Sequence, residues 1–197
     1  MNPNYRVITI GRQYGAGGRS VAKALSEKLG IPYYDKDFVK LTAQKSGFSE
    51  EDVLREGEDI SYVSRLVNSI LNNSASYTSS HDAIFDAQVK TLLEFAEQPC
   101  IIVGRCANVI LDAANIPSFN IFLYADMEHK MKRAAELAEN GNMDLKKYIE
   151  KRDHQRDIYY KMYTKHHPGH FEDYDICLNT GAIGIDKCVD MLYDILK

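Results

Sequence analysis

A glycine-rich turn between a short apolar run and an amphipathic helix constrains this chain more than any other feature. The apolar run is Val7-Ile8-Thr9-Ile10, and the turn that follows it spans Gly11–Gly18. A helical pattern opens at Ser20 and places apolar residues on one face, namely Val21, Ala22, Leu25 and Leu29. Glycines let successive backbone N–H groups converge on an anion, and a helix N-terminus adds the positive end of its dipole. The order of strand, glycine turn and helix therefore predicts a phosphate-binding loop, with a plain strand-to-helix turn as the alternative.

The turn departs from the usual phosphate-binding pattern at one position. The pattern G-x-x-x-x-G-K-[ST] supplies a lysine for the β- and γ-phosphates and a hydroxyl for a metal ion. Ser20 supplies the hydroxyl and is the predicted magnesium ligand, but Gly18 or Arg19 stands where the lysine belongs, depending on the register. Arg19 and Arg12 are the candidates for the missing charge, and each has an ordinary surface arginine as its alternative. The residues predicted to bind the ATP phosphates are Gly15, Ala16, Gly17, Gly18, Arg19 and Ser20.

Composition favours one soluble domain over residues 1–197. The chain is 45% hydrophobic and 26% charged, with a formal net charge of −4, which gives no general reason to bind nucleic acid or a membrane surface. No apolar run approaches the roughly 18 residues of a membrane span, and no signal-peptide core precedes the first strand, so we expect a cytoplasmic protein. The cysteines lack metal-ligand spacing and are expected to be buried free thiols: Cys100, Cys106, Cys177 and Cys188.

Short apolar runs alternate with long helical patterns, which is typical of an α/β protein with a parallel sheet covered by helices on both faces. The predicted strands are Tyr5–Ile10, Pro32–Tyr34, Cys100–Val103, Phe119–Tyr124 and Tyr174–Leu178. The predicted helices are Arg19–Leu29, Asp37–Ser46, Glu50–Glu56, Ile60–Asn72, His81–Glu97, Cys106–Ala113, Met127–Glu139, Asp144–Thr164 and Ile183–Leu196. The polar segment Asn73–Ser80 is predicted to be a loop between two inserted helices.

Four polar turns follow the predicted strands, at the edge where open parallel sheets bind ligands. They are Gly11–Gly18, Asp35, Gly104-Arg105 and Asn179-Thr180. Arg105 is the best candidate for an acceptor phosphate, because the forked guanidinium pairs well with phosphate oxygens; its alternative is a bridge to an acidic neighbour. Asp35 is predicted to hold a water bound to Mg²⁺, to accept a hydrogen bond from the acceptor, or to cap the next helix.

Two arginines four residues apart mark a candidate lid. Arg152 and Arg156 share one helix face, where like charges repel mildly. A shared anion would offset that repulsion, which predicts a lid over about residues 144–170 that closes on phosphates and lies far from the loop without ligand. The alternative is a solvated face on which Asp153 and Asp157 neutralise the arginines.

Four of the six histidines lie between residues 154 and 170. His166 and His167 are adjacent and point apart, whereas a metal site wants ligands at helical spacing or across elements. We therefore expect a mobile lid tip with partly charged histidines here rather than a metal site.

The chain resembles the cytidylate kinase-like family, a branch of the P-loop nucleoside monophosphate kinases, over nearly its whole length. The blocks that carry the resemblance are Ile8–Arg19, Gly30–Lys36, Ile102–Arg105, Asn120–Leu123 and Lys151–Asp157. The resemblance implies a three-layer P-loop NTPase fold with a five-stranded parallel sheet, a helical acceptor-binding insert at about residues 37–97 and an arginine-bearing lid. It also implies ATP-dependent phosphorylation of a nucleoside monophosphate, CMP by name.

The chain departs from the true cytidylate kinases at three places. Gly18 aligns with their loop lysine, Gly104-Arg105-Cys106 stands for Gly-Arg-Asp, and Asp35-Lys36-Asp37 stands for Asp-Thr-Gly. The phosphate-binding arginines are thus retained while base recognition is altered. The predicted acceptor-binding residues are Asp35, Lys36 and Arg105. The turn Asn179-Thr180 resembles the adenine-side turn of these kinases.

Three functions are consistent with these residues. The leading one is a phosphotransferase that uses ATP and Mg²⁺ to phosphorylate CMP or a similar small phosphorylated acceptor, with Arg12, Arg19, Arg152 and Arg156 as its catalytic charges. The missing lysine favours a nucleotide-binding regulatory protein without efficient catalysis. Cys106 and Lys36 favour a kinase of a small metabolite that is not a nucleotide.

Overall fold

Five parallel strands form the centre of the molecule in a computed structural model that describes residues 5–35, 40–44, 47, 49, 80–164 and 166–197. In spatial order the sheet runs β2-β3-β1-β4-β5. The strands are β1 (Val7–Arg12), β2 (Tyr33–Tyr34), β3 (Cys100–Val103), β4 (Ser118–Tyr124) and β5 (Ile176–Asn179). The predicted five-stranded parallel sheet is therefore confirmed.

Helices follow the strands along the chain. In the described residues they are α1 (Gly18–Leu29), α2 (Ser80–Phe95), α3 (Ala107–Ala113), α4 (Met127–Leu137), α5 (Leu145–Thr164), α6 (Thr180–Ile183) and α7 (Ile185–Leu196). Residues 40–44 are also helical, and a 3₁₀ helix at Phe171–Asp173 precedes β5.

The two faces of the sheet are both buried, because alternate strand residues point to opposite sides. On one side, Ile8 and Ile10 of β1 pack with Leu25 of α1 and Leu192 of α7. On the other side, Val7 packs with apolar residues of α2 and α3, among them Val89, Leu92, Ile110 and Leu111. Both layers of helices predicted from the sequence are thus present.

Strand β1 begins and ends two residues later than predicted, so Gly11 and Arg12 belong to the strand. Gly11 and Arg12 continue the parallel pairing with Phe122 and Leu123 of β4. Arg12 therefore leaves from the rigid end of a central strand, not from the loop that follows it.

Other boundaries differ for local reasons. The predicted helix Ile183–Leu196 begins two residues later as α7, because Gly184, with a φ of +88°, separates it from the short helix α6. The 3₁₀ helix at Phe171–Asp173 was not predicted. The predicted helices Glu50–Glu56 and Ile60–Asn72, and most of the predicted insert, lie outside the described residues.

Within the described segments, no helix combines the length and the apolar character that a membrane crossing requires. The four cysteines are all free thiols, and Cys100, Cys106 and Cys188 are buried.

Candidate functional site

The turn after β1 has the backbone geometry of an anion-binding loop. Gly15 and Gly17 have φ values of +79° and +77°, in the left-handed region that favours glycine. A Cβ on Gly15 would lie 2.8 Å from the carbonyl oxygen of Lys130, so the loop also packs too closely for a side chain. Helix α1 begins at Gly18, and among the described residues no side chain caps it. The N-terminus of α1 therefore faces the turn with its dipole available to an anion.

The turn after β5 supports this loop through its side chains. The buried hydroxyl of Thr180 donates to the carbonyl oxygens of Ala16 at 3.0 Å and Tyr124 at 3.2 Å. The side chain of Asn179 accepts hydrogen bonds from the N–H groups of Gly181 and Ala182 and so caps α6. Both residues are predicted from the sequence to bind the nucleotide, and their side chains are engaged with the protein itself. Contact with a nucleotide through their backbone atoms stays a prediction.

Arg12 crosses the position of the missing lysine side chain. A Cβ on Gly18 would lie 2.9 Å from Cγ of Arg12, and a Cβ on Gly104 would lie 1.7 Å from its Nη1. The arginine side chain therefore runs over Gly18 and ends against Gly104, and both contacts require glycine. Burial lowers the pKa of Arg12 well below its ordinary value, and nearby Arg156 lowers it further. An anion bound beside this guanidinium would favour its charged form and so oppose both of these effects on the pKa.

Arg19 is held by acidic partners. Its Nε donates to Oδ2 of Asp35, and its Nη1 lies 3.2 Å from Oε1 of Glu139. Its side chain is 45% exposed, against 18% for Arg12. Of the two candidates for the missing charge, Arg12 is the one whose side chain passes over Gly18.

Asp35 holds both arginines at the end of β2. Its Oδ1 lies 3.4 Å from Arg12 and its Oδ2 accepts from Arg19. The three roles predicted for Asp35 did not include this ion-pair position. Lys36, predicted to bind the acceptor, lies outside the described residues.

A cavity of about 340 Å³ opens between the loop, the end of β3 and helix α5. Five arginines and one carboxylate are the charged residues among its described lining, in a chain whose net charge is −4. The arginines are Arg12, Arg19, Arg105, Arg152 and Arg156. All five were predicted from the sequence to handle phosphate, and the structure brings them to one cavity.

The cavity wall around Arg105 is polar and aromatic. Arg105 and Cys106 have φ values of +60° and +49°, which turns the chain sharply after β3. Burial raises the pKa of the Cys106 thiol, so this thiol stays neutral where the cytidylate kinases carry a carboxylate. Asn108 donates to the hydroxyl of Tyr160 at 2.9 Å.

Helix α5 lies against the phosphate loop. Nη1 of Arg156 lies 3.4 Å from the carbonyl oxygen of Arg12, and its guanidinium carbon is 5.7 Å from the centre of the Tyr14 ring. Burial lowers the pKa of Arg156, although the charge of Asp153 opposes this shift. In this structure α5 lies beside the phosphate loop. The predicted ligand-free state, in which Arg152 and Arg156 lie far from the loop, stays a prediction.

Asp153 ties α5 to the loop, which differs from the solvated role considered for it. Its Oδ1 accepts from the N–H of Tyr14 at 2.6 Å, and its Oδ2 lies 2.7 Å from Nζ of Lys130. The Lys130 side chain is 8% exposed, and its ion pair with Asp153 offsets the desolvation of the ammonium group. The sequence analysis missed Lys130, although its spacing from Met127 and Ala134 places it on the inner face of α4.

The hydroxyl of Ser20 accepts a hydrogen bond from Arg133 of α4 at 2.8 Å. Arg133 also pairs with Glu136 at 2.7 Å. Sequence reasoning missed Arg133, because only the fold places it beside the loop. Arg133 uses one of the two lone pairs of this hydroxyl, so a magnesium ion on Ser20 would have to use the other.

Residues 7–182 match the family model of the cytidylate kinase-like family. Among solved structures, the chain is similar to an uncharacterized protein from Eubacterium ventriosum, with 27% identity over 96% of this chain and 97% of that one and a TM-score of 0.68. Shikimate kinase from Bacteroides thetaiotaomicron is 15% identical over 96% and 97% of the two chains, with a TM-score of 0.56. Shikimate kinase from Acinetobacter baumannii, solved in complex with shikimate, is 12% identical over 98% and 93%, with a TM-score of 0.53.

A search of curated proteins by sequence gave no significant match. The family match covers most of the chain, so the chain belongs to the cytidylate kinase-like family. The two shikimate kinases are below 25% identity and support the P-loop kinase fold alone.

Proposed function

From its membership of this family and the arginine-lined cavity beside its phosphate loop, we propose that the protein is an ATP-dependent phosphotransferase. It acts on a small phosphorylated acceptor, with CMP or a related nucleoside monophosphate as the first candidate. The observation that carries the proposal is the path of Arg12, which lies over Gly18 and ends in the cavity.

The phosphate loop binds the donor. Phosphoryl transfer requires in-line phosphates and neutralisation of the charge that spreads over them, rather than covalent chemistry by the protein. The turn from Gly15 to Ser20 holds the ATP phosphates through backbone N–H groups, and Arg12 supplies the cation that a loop lysine supplies elsewhere. The Mg²⁺ carried by ATP would neutralise phosphate charge, and Ser20 would hold it through the hydroxyl lone pair that Arg133 does not use.

The rest of the cavity receives the acceptor. Arg105, which follows β3, and Arg152, on α5, bind its phosphate oxygens, since both line the same cavity. Tyr160 and Asn108 form a hydrogen-bonded wall that can contact a base or sugar. Arg156 bridges donor and acceptor, because it lines the cavity and also touches the backbone of Arg12.

A kinase of a non-nucleotide acid is the second candidate. The neutral thiol of Cys106 stands where a base-recognising carboxylate is expected, while every arginine of the cavity would also bind a carboxylate. Fold relatives include a shikimate kinase solved with shikimate, which shows that this fold can accept a hydroxylated carboxylic acid.

The test is a coupled assay of ADP formation with Mg·ATP and a panel of acceptors. The panel contains the nucleoside monophosphates, small sugar phosphates and hydroxylated carboxylates such as shikimate. Calorimetry measures ATP binding in parallel. Arg105→Gln should raise the KM for the acceptor with little change in ATP affinity, and Arg6→Gln, at an exposed position outside the cavity, serves as the matched control.

Each outcome separates the candidates. Turnover with a phosphorylated acceptor supports the proposal, and turnover confined to carboxylates supports the second candidate. ATP binding without turnover on any acceptor would contradict both and favour a regulatory nucleotide-binding protein.

A further inference from the structure

Three side chains of metal-ligand type meet where the chain returns from α5 to the sheet. One ligand atom from each of His166, His170 and Asp173 lies within 4.8 Å of the other two. The sequence analysis discounted this region because His166 and His167 are neighbours. The structure shows that the relevant partners of His166 are instead His170 and Asp173, which lie further along a folded turn.

The backbone brings the three together through successive short turns. The N–H of His170 donates to the carbonyl of His167 at 3.1 Å, and the N–H of Asp173 donates to the carbonyl of His170 at 3.0 Å. These two turns fold residues 166–173 back on themselves. The ligand set is therefore fixed by main-chain hydrogen bonds and not only by side-chain orientation.

One imidazole of the cluster is unsatisfied. Nδ1 of His166 lies 3.0 and 3.2 Å from the two carboxylate oxygens of Asp173. Nδ1 of His170 is buried, and within the described residues it makes no hydrogen bond; a carboxylate oxygen of Glu172 lies 4.0 Å away. A buried polar atom without a partner is unfavourable, and a metal ion is a partner that would satisfy this nitrogen.

We propose that His166, His170 and Asp173 form a binding site for Zn²⁺. Two imidazole nitrogens and one carboxylate oxygen are ligands that Zn²⁺ uses, and three protein ligands leave the fourth position to a water. Ligand atoms about 2.1 Å from a tetrahedral ion lie about 3.4 Å apart. The His166–Asp173 contact must therefore open slightly and the nitrogen of His170 must approach.

The ion would fix one wall of the cavity. Asp173 accepts a hydrogen bond from Asn108 at its carbonyl, at 3.3 Å. The next residue, Tyr174, places its hydroxyl 3.0 Å from the position of a Cβ on Gly11, at the end of β1. Binding at His170 and Asp173 thus braces the chain that joins the lid to the strand beside the phosphate loop.

The experiment is a titration of the metal-free protein with Co²⁺, followed by displacement with Zn²⁺. Tetrahedral Co²⁺ gives visible absorption bands, which report coordination independently of any enzymatic activity. His170→Ala and Asp173→Asn should each weaken binding by more than about 10-fold, since even outer-shell changes cost that much. His167→Ala is the matched control, because His167 is 70% exposed and pairs with Asp157 instead.

Circular dichroism checks that each variant is folded, and Asp173→Asn preserves the side-chain shape if His170→Ala does not fold. The site is supported if the wild type and His167→Ala give the same bands and both site variants lose them. The proposal is overturned if the wild type gives no tetrahedral bands. It is also overturned if His167→Ala weakens binding as much as His170→Ala, because the metal would then bind through other ligands.

Discussion

Asp153 contacts both the buried Lys130 and the backbone of the phosphate loop. Its removal should therefore lower the free energy of unfolding. The Lys130 side chain is 8% exposed and the Asp153 side chain 22%. Breaking a buried ion pair by removing one partner costs about 3–5 kcal/mol. The partial exposure of Asp153 lowers this cost, and the second contact of Lys130, with Gln13 at 3.4 Å, lowers it further. We expect Asp153→Asn to reduce the free energy of unfolding by roughly 2–3 kcal/mol.

The assay is denaturant unfolding followed by circular dichroism at neutral pH. Asp157→Asn, one helical turn later, is the matched control, because its partners Lys161 and His167 are 41% and 70% exposed. Exposed pairs contribute about 0–1 kcal/mol, so this variant should lose less than about 1 kcal/mol. The double variant Lys130→Met with Asp153→Asn should be more stable than Asp153→Asn alone, because it leaves no buried lysine without its charge partner, while an amide oxygen still accepts from the N–H of Tyr14. The reasoning fails if Asp153→Asn and Asp157→Asn cost the same, or if the double variant brings no recovery.

Two glycine substitutions test the loop and the path of Arg12. Gly17→Val should abolish ATP binding, measured by calorimetry, while the protein stays folded, because φ is +77° and the new Cβ would lie 2.7 Å from Ile185. The control Gly30→Val, at a φ of +68° with open space around it, should carry a similar backbone strain of about 1–2 kcal/mol and keep its ATP affinity. Equal ATP affinity in both variants would exclude the loop as the phosphate site. Gly104→Ala should displace the guanidinium of Arg12, because its Nη1 lies 1.7 Å from the position of the new Cβ. This variant should lower kcat as much as removal of Arg12 does, whereas Gly30→Ala should leave kcat unchanged. An unchanged kcat in Gly104→Ala would show that activity does not require the guanidinium of Arg12 against Gly104.

The sheet and its ligand-binding edge could be predicted because they depend on local patterns. Short apolar runs such as Cys100–Val103 became strands, and polar residues directly after them, including Asp35 and Arg105, came to one edge. Parallel pairing brings strand ends together whatever the details of packing. The family resemblance added the lid arginines, Arg152 and Arg156.

Contacts between distant elements could not be predicted from local patterns. Lys130 and Asp153 are 23 residues apart on different helices, and Thr180 reaches a carbonyl 164 residues earlier. The choice between Arg12 and Arg19 also depended on tertiary structure. Gly18 and Gly104 leave room for Arg12, while Asp35 and Glu139 hold Arg19.

The central claim is that Arg12 does the work of the missing loop lysine. It is tested most directly by kcat and ATP affinity in Arg12→Ala and Arg19→Ala, with the best acceptor from the panel. Removing a group aimed at transition-state charge costs roughly 10²–10³ in kcat and acts on rate more than on ground-state binding. Arg12→Ala should therefore lose at least about 100-fold in kcat with nearly unchanged ATP affinity, and Arg19→Ala less than about 10-fold. A larger loss of kcat in Arg19→Ala than in Arg12→Ala, or equal small losses in both, would contradict the claim.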